Sequence, residues 1–216
     1  MKRRRALLLV VAISLAVAVA APVAWWASRP SADAGTLERF ERGSRNRSVS
    51  PPPVTDVGTH SGRLEDAPVG ATTPIAVRIG AIGVDAPVTS VGLDRNGGME
   101  IPESVAQVGW YRLGAVPGRA GSAVLAGHVD SRSQGRGAFF SLSAVEPGAQ
   151  VTVVDSRGAE HRFEVVARRQ FPKDGLPADL FANTGDARLA LITCGGDFNG
   201  ATRSYRDNIV VYAVAV

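Results

Sequence analysis

From Pro74 to the C-terminus, short apolar runs alternate with turn-forming residues, and this spacing limits the fold more than any other feature. Runs of this length, rich in β-branched residues and bounded by Gly, Pro, Asn and Ser, are typical of strands. The predicted strands cover residues 75–79, 84–91, 99–101, 122–126, 151–155, 161–167, 189–193 and 209–216. Two stretches, 138–144 and 176–182, allow short helices. We therefore predict an all-β fold with a closed or nearly closed barrel and one or two short helices.

The N-terminus combines a basic cluster with a long apolar run. Residues 2–5 are Lys-Arg-Arg-Arg, and residues 6–26 are apolar apart from Ser14 and Pro22. About 20 apolar residues in a helix cross the ~30 Å hydrocarbon core of a bilayer, and basic residues stay on the cytoplasmic side. We expect residues 1–27 to form a single-pass transmembrane helix in the cell membrane, with the rest of the chain extracellular. A cleaved signal peptide is the alternative, because residues 18–20 (Ala-Val-Ala) fit a cleavage site.

Residues 28–73 differ in composition from both neighbouring segments. Pro, Ser, Gly, Thr and charged residues dominate, and residues 51–53 are three consecutive prolines. A segment with so few apolar residues buries too little surface to offset its ordering entropy. We predict a disordered spacer over residues 28–73 and a folded catalytic domain over residues 74–216. A turn of helix at residues 37–42 is compatible with the sequence but not required by it.

The net charge of +4 comes from the N-terminal arm. Residues 74–216 contain equal numbers of basic and acidic side chains and no dense basic run. A nucleic-acid-binding domain normally presents a basic patch or stripe. The charge distribution therefore argues against nucleic acid as a partner.

Cys194 is the only cysteine in the chain. An exported protein with one cysteine forms no internal disulfide, so the thiol is either an inert core residue or a functional group. A functional thiol needs a base or a cation nearby, because a free thiol is only slightly ionised at neutral pH. His128 follows an apolar strand as Cys194 does, and Arg203 and Arg206 come after it. The three histidines show no metal-ligand spacing, so we expect no metal.

Three motifs occur in a particular order along the domain. They are residues 126–130 (Ala-Gly-His-Val-Asp), 191–196 (Leu-Ile-Thr-Cys-Gly-Gly) and 205–211 (Tyr-Arg-Asp-Asn-Ile-Val-Val). This series resembles the signature of sortases, in the form found in class F of Gram-positive bacteria. Residues 82–88 and 171–174 (Phe-Pro-Lys-Asp) extend the resemblance, which covers about Pro74 to Val216.

The resemblance implies a closed eight-stranded sortase-type barrel and a role for several residues. Cys194 would be the nucleophile, His128 the general acid and base, and Arg206 the cation that stabilises the oxyanion or orients the peptide. Thr193 would line the substrate site. Gly195, beside the nucleophile, would let the substrate backbone approach closely.

Two departures from the class F pattern concern the residues around the site. Asn199 and the pair Arg203-Ser204 replace the residues that the class usually has, so Arg203 becomes a second candidate cation. Asp130, two residues after His128, is a candidate for orienting the His128 ring.

Sortases cut a sorting signal of the Leu-Pro-x-Thr-Gly kind between Thr and Gly through a thioester. The resemblance therefore implies a membrane-anchored monomeric cysteine transpeptidase with no cofactor. Its partners would be the sorting-signal peptide of secreted surface proteins and a cell-wall precursor or pilin amine as acceptor. Two alternatives remain at this point. One is an exported cysteine peptidase or wall hydrolase, and the other is a tethered, non-catalytic wall-binding module with a buried Cys194.

Overall fold

Residues 32–45 and 72–216 are described by a computed structural model. They begin with a two-residue strand, β1 (Ala34–Gly35), and a helix, α1 (Glu38–Arg45). No helix in these two ranges is both long and apolar enough to cross a bilayer. The predicted transmembrane segment, residues 1–27, lies outside the described residues.

Ten further strands follow in residues 72–216. They are β2 (Pro74–Ile79), β3 (Val84–Val91), β4 (Val108–Tyr111), β5 (Gly121–Gly127), β6 (Asp130–Ser131), β7 (Gly135–Arg136), β8 (Gln150–Asp155), β9 (Glu160–Pro172), β10 (Ala187–Asn199) and β11 (Ser204–Ala215). Short 3-10 turns lie at Gly80–Ile82, Leu142–Ala144 and Ala178–Phe181. The last two fall within the stretches for which short helices were predicted.

Eight of these strands close into a barrel. The order around it is β9, β11, β10, β5, β4, β3, β2 and β8, and β8 pairs with β9 to complete the ring. The β3–β4 and β5–β10 pairs are parallel, and the other neighbours are antiparallel. β6 and β7 form a separate small hairpin. The predicted all-β fold with a closed eight-stranded barrel is thus confirmed.

Apolar side chains pack on both faces of the central strands. The barrel interior contains alternate residues of each strand, among them Leu189 and Leu191 from β10 and Val211 and Ala213 from β11. The intervening residues of the same strands, such as Val210, form an outer cluster. The 3-10 turn Ala178–Phe181 and α1 pack over this cluster. Burial on both faces explains why β5, β10 and β11 read as nearly continuous apolar runs.

Residues 32–45 were predicted to belong to the disordered spacer, and the structure corrects this. β1 pairs with β9 through Ala34↔Arg168 and Gly35↔Ala167. The guanidinium of Arg169 donates hydrogen bonds to the carbonyl oxygens of Ala34 and Gly35, at 2.7 and 2.9 Å. The backbone of residues 34 and 35 therefore has hydrogen-bond partners on β9, which the composition of the segment did not indicate. Of the spacer's other residues, 28–31 and 46–71 lie outside the described part of the chain.

Candidate active site

Cys194 and His128 are brought together by the parallel pairing of β5 and β10. The register runs from Ala187↔Gly121 to Ile192↔Ala126, so the two strands extend towards the same rim of the barrel. His128 is the first residue after β5, and Cys194 lies two residues beyond the last register pair. The hydroxyl of Thr193 donates a 2.8 Å hydrogen bond to the carbonyl oxygen of Gly127. One contact therefore ties together the residues that precede the two candidate catalytic side chains.

The His128 ring is oriented by a backbone carbonyl. Its Nε2 atom lies 2.8 Å from the carbonyl oxygen of Pro102. A carbonyl oxygen only accepts hydrogen bonds, so Nε2 carries a proton in this contact. That assignment leaves Nδ1 as the nitrogen that can exchange a proton with a substrate. The backbone is held as well, because the amide of Phe139 donates to the His128 carbonyl oxygen at 3.1 Å.

Cys194 carries a free, partly exposed thiol. It lies in β10 directly opposite Asn208 of β11. A register shift follows between Gly195 and Phe198, and Gly196 adopts a left-handed φ of 73° there. The ammonium group of Lys173 lies 2.9 Å from Sγ of Cys194. The thiol thus faces both a cation and open space at the rim.

A cavity of about 780 Å³ opens at this rim, between the β6–β7 hairpin and the β10–β11 hairpin. It contains both Cys194 and His128. Its other lining residues are Val129, Asp130, Ser131, Arg132, Phe198, Gly200, Arg203, Ser204 and Tyr205. Phe198 is 58% exposed and packs edge-to-face on Tyr205, with ring centroids 5.2 Å apart. An open cavity with an exposed aromatic wall can receive an extended peptide.

Asp130 hydrogen-bonds to a different partner from the one considered in the sequence analysis. The Tyr205 hydroxyl donates a 2.7 Å hydrogen bond to Oδ2 of Asp130. This bond, together with burial, raises the pKa of Tyr205, so the phenol keeps its proton at neutral pH. The ring of His128 is held by Pro102 instead. Asp130 therefore links the two hairpins that border the cavity.

The predicted substrate-binding residues Thr193 and Gly195 do not line the cavity. Thr193 is buried and uses its hydroxyl to bond Gly127. A Cβ atom at position 195 would overlap the side chain of Ile209, so Gly195 is required for packing in β10 and β11. Their role towards a substrate stays a prediction.

The two candidate arginines occupy different positions. Arg203 lines the cavity and lies in the turn between β10 and β11, with a left-handed φ of 51°. Arg206 is an exposed residue of β11 that is absent from the cavity wall. It lies two residues before Asn208, the partner of Cys194, so strand alternation puts it on the face of the sheet that carries Cys194. Arg206 remains the predicted oxyanion-stabilising cation.

Three contributors to the site were not assigned a role from the sequence: Pro102, Lys173 and Tyr205. Pro102 acts through its backbone carbonyl, which has no sequence signal. Lys173 and Tyr205 lie within residues 171–174 and 205–211, the segments that carried part of the resemblance. Within residues 32–45 and 72–216, no cluster of three or more His, Cys, Asp or Glu side chains could hold a metal ion.

The closed eight-stranded barrel carries a free cysteine and a histidine beside one cavity, an arrangement that suits a cysteine-dependent enzyme. A family model described as a Sortase domain matches residues 77–216. The chain therefore belongs to the sortase family, whose members are generally cysteine transpeptidases. A comparison with curated proteins gave no match.

Several solved sortases share this fold. The complex of Streptococcus agalactiae sortase C1 with MTSET is similar to the chain at a TM-score of 0.51 and 22% identity, covering 65% of this chain and 66% of that one. Sortase C1 of GBS Pilus Island 1 is similar at a TM-score of 0.51 and 20% identity, over 65% of this chain and 63% of that one. Sortase A from Corynebacterium diphtheriae is similar at a TM-score of 0.50 and 20% identity, over 68% of this chain and 61% of that one. The chain thus spans slightly less than two thirds of the length of these structures.

Proposed function

We propose that the protein is a membrane-anchored sortase of the class F type. It cleaves an LPXTG-like sorting signal between Thr and Gly and transfers the new Thr carboxyl end to a cell-wall or pilin amine. One observation carries this proposal. Cys194 and His128 lie at one end of paired strands and face the same cavity, which also has room for a peptide.

The proposed reaction has two halves. The thiolate of Cys194 attacks the Thr carbonyl carbon, and the guanidinium of Arg206 stabilises the oxyanion. Protonated His128 donates a proton from Nδ1 to the departing Gly amine, which leaves a thioester on Cys194. The acceptor amine then attacks the thioester, returns a proton to His128 and frees the thiolate. No metal or organic cofactor takes part in these steps.

The proposal includes the sortase class and the cellular location of the protein. The Gly-His-Val-Asp and Thr-Cys-Gly-Gly forms around His128 and Cys194 favour class F. Residues 1–27 would hold the catalytic domain on the outer surface of the cell membrane, where secreted substrates and wall precursors meet. If this location is correct, the mature protein should be found in membrane fractions and should retain its basic N-terminal residues.

The direct test uses a fluorescent peptide that contains the sorting signal, incubated with and without an amine acceptor. We expect cleavage between Thr and Gly in both cases, and a ligated product when the amine is present. Cys194→Ala should abolish both products, because the chain has no second cysteine to form a thioester. Cys194→Ser is the matched control. The serine side chain has a similar shape, but its hydroxyl is a much weaker nucleophile than a thiolate.

The products separate the competing functions. Cleavage that never yields ligated product at high amine concentration would indicate a peptidase or wall hydrolase. Turnover that survives in Cys194→Ala would rule out a cysteine-dependent reaction altogether. A circular dichroism spectrum of each variant checks that the barrel is intact.

A further inference from the structure

Lys173 reaches the candidate nucleophile from a neighbouring part of the barrel. It follows the end of β9 at Pro172, and β9 is separated from β10 by β11. Asn208 of β11 lies opposite Cys194 on one side and Phe171 on the other. Its side-chain amide donates a 3.4 Å hydrogen bond to the carbonyl oxygen of Lys173. The Lys173 side chain passes over β11 from this position, and its Nζ lies 2.9 Å from Sγ.

We propose that Lys173 is a further catalytic residue, whose ammonium group is the counter-ion of the Cys194 thiolate in the resting enzyme. This role rests on the proposed function in taking Cys194 as the nucleophile. The ammonium touches the reacting sulfur directly. An opposite charge at this distance favours the charged form of a thiol and so increases the fraction that can attack.

The other charged groups around the thiol leave this role to Lys173. Two of the nearby carboxylates have partners, since Asp130 accepts from Tyr205 and Asp207 accepts from Gln170 at 2.5 Å. The other two are Asp174, next to Lys173 in the chain, and Asp197, an exposed residue of β10. The other charged or titratable groups on the cavity wall or on β11 are His128, Arg132, Arg203, Tyr205, Arg206 and Tyr212. Within the described part of the chain, no carboxylate forms a salt bridge with Lys173. Its positive charge is therefore available to the sulfur.

The step balances without a change in the protonation of Lys173. The thiolate pair forms the C–S bond while the carbonyl π pair moves to oxygen. The oxyanion pair then re-forms the C=O bond as the C–N bond breaks, and the leaving amine takes its proton from Nδ1 of His128. The thioester sulfur is neutral, so the ammonium loses its counter-ion and regains it when the acceptor amine expels the thiolate.

The test is the rate at which iodoacetamide alkylates the protein, followed by intact mass between pH 6 and 9. Cys194 is the only thiol, so the fast addition of one carbamidomethyl group reports on it, and Cys194→Ala measures the slow alkylation of other side chains. The variants are Lys173→Met, which removes the charge, and Lys173→Arg, which retains it. Arg119→Met is the matched control, because Arg119 is exposed and precedes the start of β5, at the opposite end of that strand from His128.

We expect Lys173→Met to slow alkylation at pH 7 by about threefold to tenfold, an effect limited by the solvent around the pair. The rates of variant and wild type should converge at the alkaline end of the series, where free thiols ionise unaided. Lys173→Arg should recover part of the rate, and Arg119→Met should behave as the wild type. Salt at about 1 M should slow the wild type more than Lys173→Met, because it screens exposed charges.

Alkylation of Lys173→Met at the wild-type rate or faster at pH 7 would overturn the proposal, as would a Lys173→Arg variant no more reactive than Lys173→Met. Iodoacetamide needs no peptide site, so the result does not depend on the substrate. If the wild-type protein fails to cleave the sorting peptide, the proposed function fails, and the alkylation rates still decide the role of Lys173.

Discussion

The hydroxyl of Thr193 donates a hydrogen bond to the carbonyl oxygen of Gly127. Thr193 immediately precedes Cys194, and Gly127 immediately precedes His128. The last register pair between β5 and β10 is Ile192↔Ala126, so this contact continues the link one residue towards the rim. A catalytic pair must be held within a fraction of an ångström to be productive. We infer that the geometry of the rim depends on this buried side-chain hydrogen bond as well as on the backbone ladder.

Arg206 and Arg203 can be separated by kinetics. Arg206 is followed at once by Asp207, which pairs with both Gly195 and Pro172, so its backbone is fixed within the sheet. Arg203 lines the cavity but lies in an exposed turn. Loss of one oxyanion donor typically costs about 10²–10³ in rate. We expect Arg206→Ala to lower kcat/KM on the sorting peptide by that factor, and Arg203→Ala by less than tenfold.

Arg206→Lys is the conservative control in this series. It should restore only part of the activity, because an ammonium lacks the planar fork of a guanidinium. A larger loss from Arg203→Ala than from Arg206→Ala would assign the oxyanion role to the arginine in the turn.

The candidate site was partly predictable from the sequence. Cys194 and His128 each follow an apolar run in the sequence, and a barrel can bring the ends of two such runs to a common rim. The contacts of His128 with Pro102 and of Cys194 with Lys173 were not predictable, since they join residues 26 and 21 positions apart. The first involves a backbone carbonyl in an irregular loop, and the second a flexible side chain that crosses a strand. Neither has a periodic pattern.

At the scale of elements, strands with strong apolar patterns were predicted, and the short strands β1, β4, β6 and β7 were not. β3 has the predicted bounds, whereas β4 (Val108–Tyr111) was not predicted. β4 is short and contains Gly109, where a Cβ atom would lie 3.0 Å from the Val91 side chain of β3. The predicted strand at residues 99–101 is reduced to a single bridge, Leu93↔Met99. Tertiary packing decides such short segments, and local propensity does not.

The β8–β9 hairpin provides a pH-dependent prediction. Buried Asp155 accepts hydrogen bonds from the His161 ring at 3.0 Å and from the amides of Arg157 and Ala159 at 2.9 Å. The His161 contact, followed by the backbone bonds, holds the pKa of Asp155 below its ordinary value of 3.8. A carboxylate with a lowered folded-state pKa stabilises the fold above its ordinary pKa and loses this effect as the pH falls through the folded-state value.

We therefore expect Asp155→Asn to lower the thermal midpoint at pH 7, with the difference from wild type narrowing below about pH 4. The Asn side chain can still accept from both amides through its one oxygen, so the variant removes the charge and the acceptor that faces the His161 ring. Asp85→Asn is the control, because the carboxylate of Asp85 is 72% exposed and its 3.5 Å contact with Arg78 lies on the surface. A gap between Asp155→Asn and wild type that stays constant from pH 7 to pH 3 would contradict this account.

For the molecule as a whole, residues 32–45 extend the folded domain beyond the barrel. The amide of Thr36 donates to the Val166 carbonyl oxygen at 3.1 Å, and the amide of Asp186 donates to the Gly43 carbonyl oxygen at 2.9 Å. The segment is therefore attached at two places, beside β9 and before β10. Its composition did not reveal this, because Leu37 and Phe40 are its only large apolar residues.

Phe40 is the main apolar anchor of this segment. Its side chain is fully buried, packs edge-to-face on Tyr212 with ring centroids 4.8 Å apart, and lies under the guanidinium of Arg188 at 4.7 Å. Truncating a buried Phe to Ala typically costs about 3–5 kcal/mol. We expect Phe40→Ala in the full-length protein to lower the free energy of unfolding by roughly that amount.

Two controls make the Phe40 experiment specific to the packing of α1. Phe40→Leu keeps much of the buried apolar surface and should cost less than Phe40→Ala. Leu113→Ala deletes a side chain that is 42% exposed and should have a small effect. Limited proteolysis adds a local readout, because release of α1 should unfold the backbone around the exposed Arg39 and Arg42 and let trypsin cleave there before the barrel unfolds. If Phe40→Ala unfolds at the same denaturant concentration as wild type and resists trypsin equally, the segment contributes nothing to the stability of the barrel.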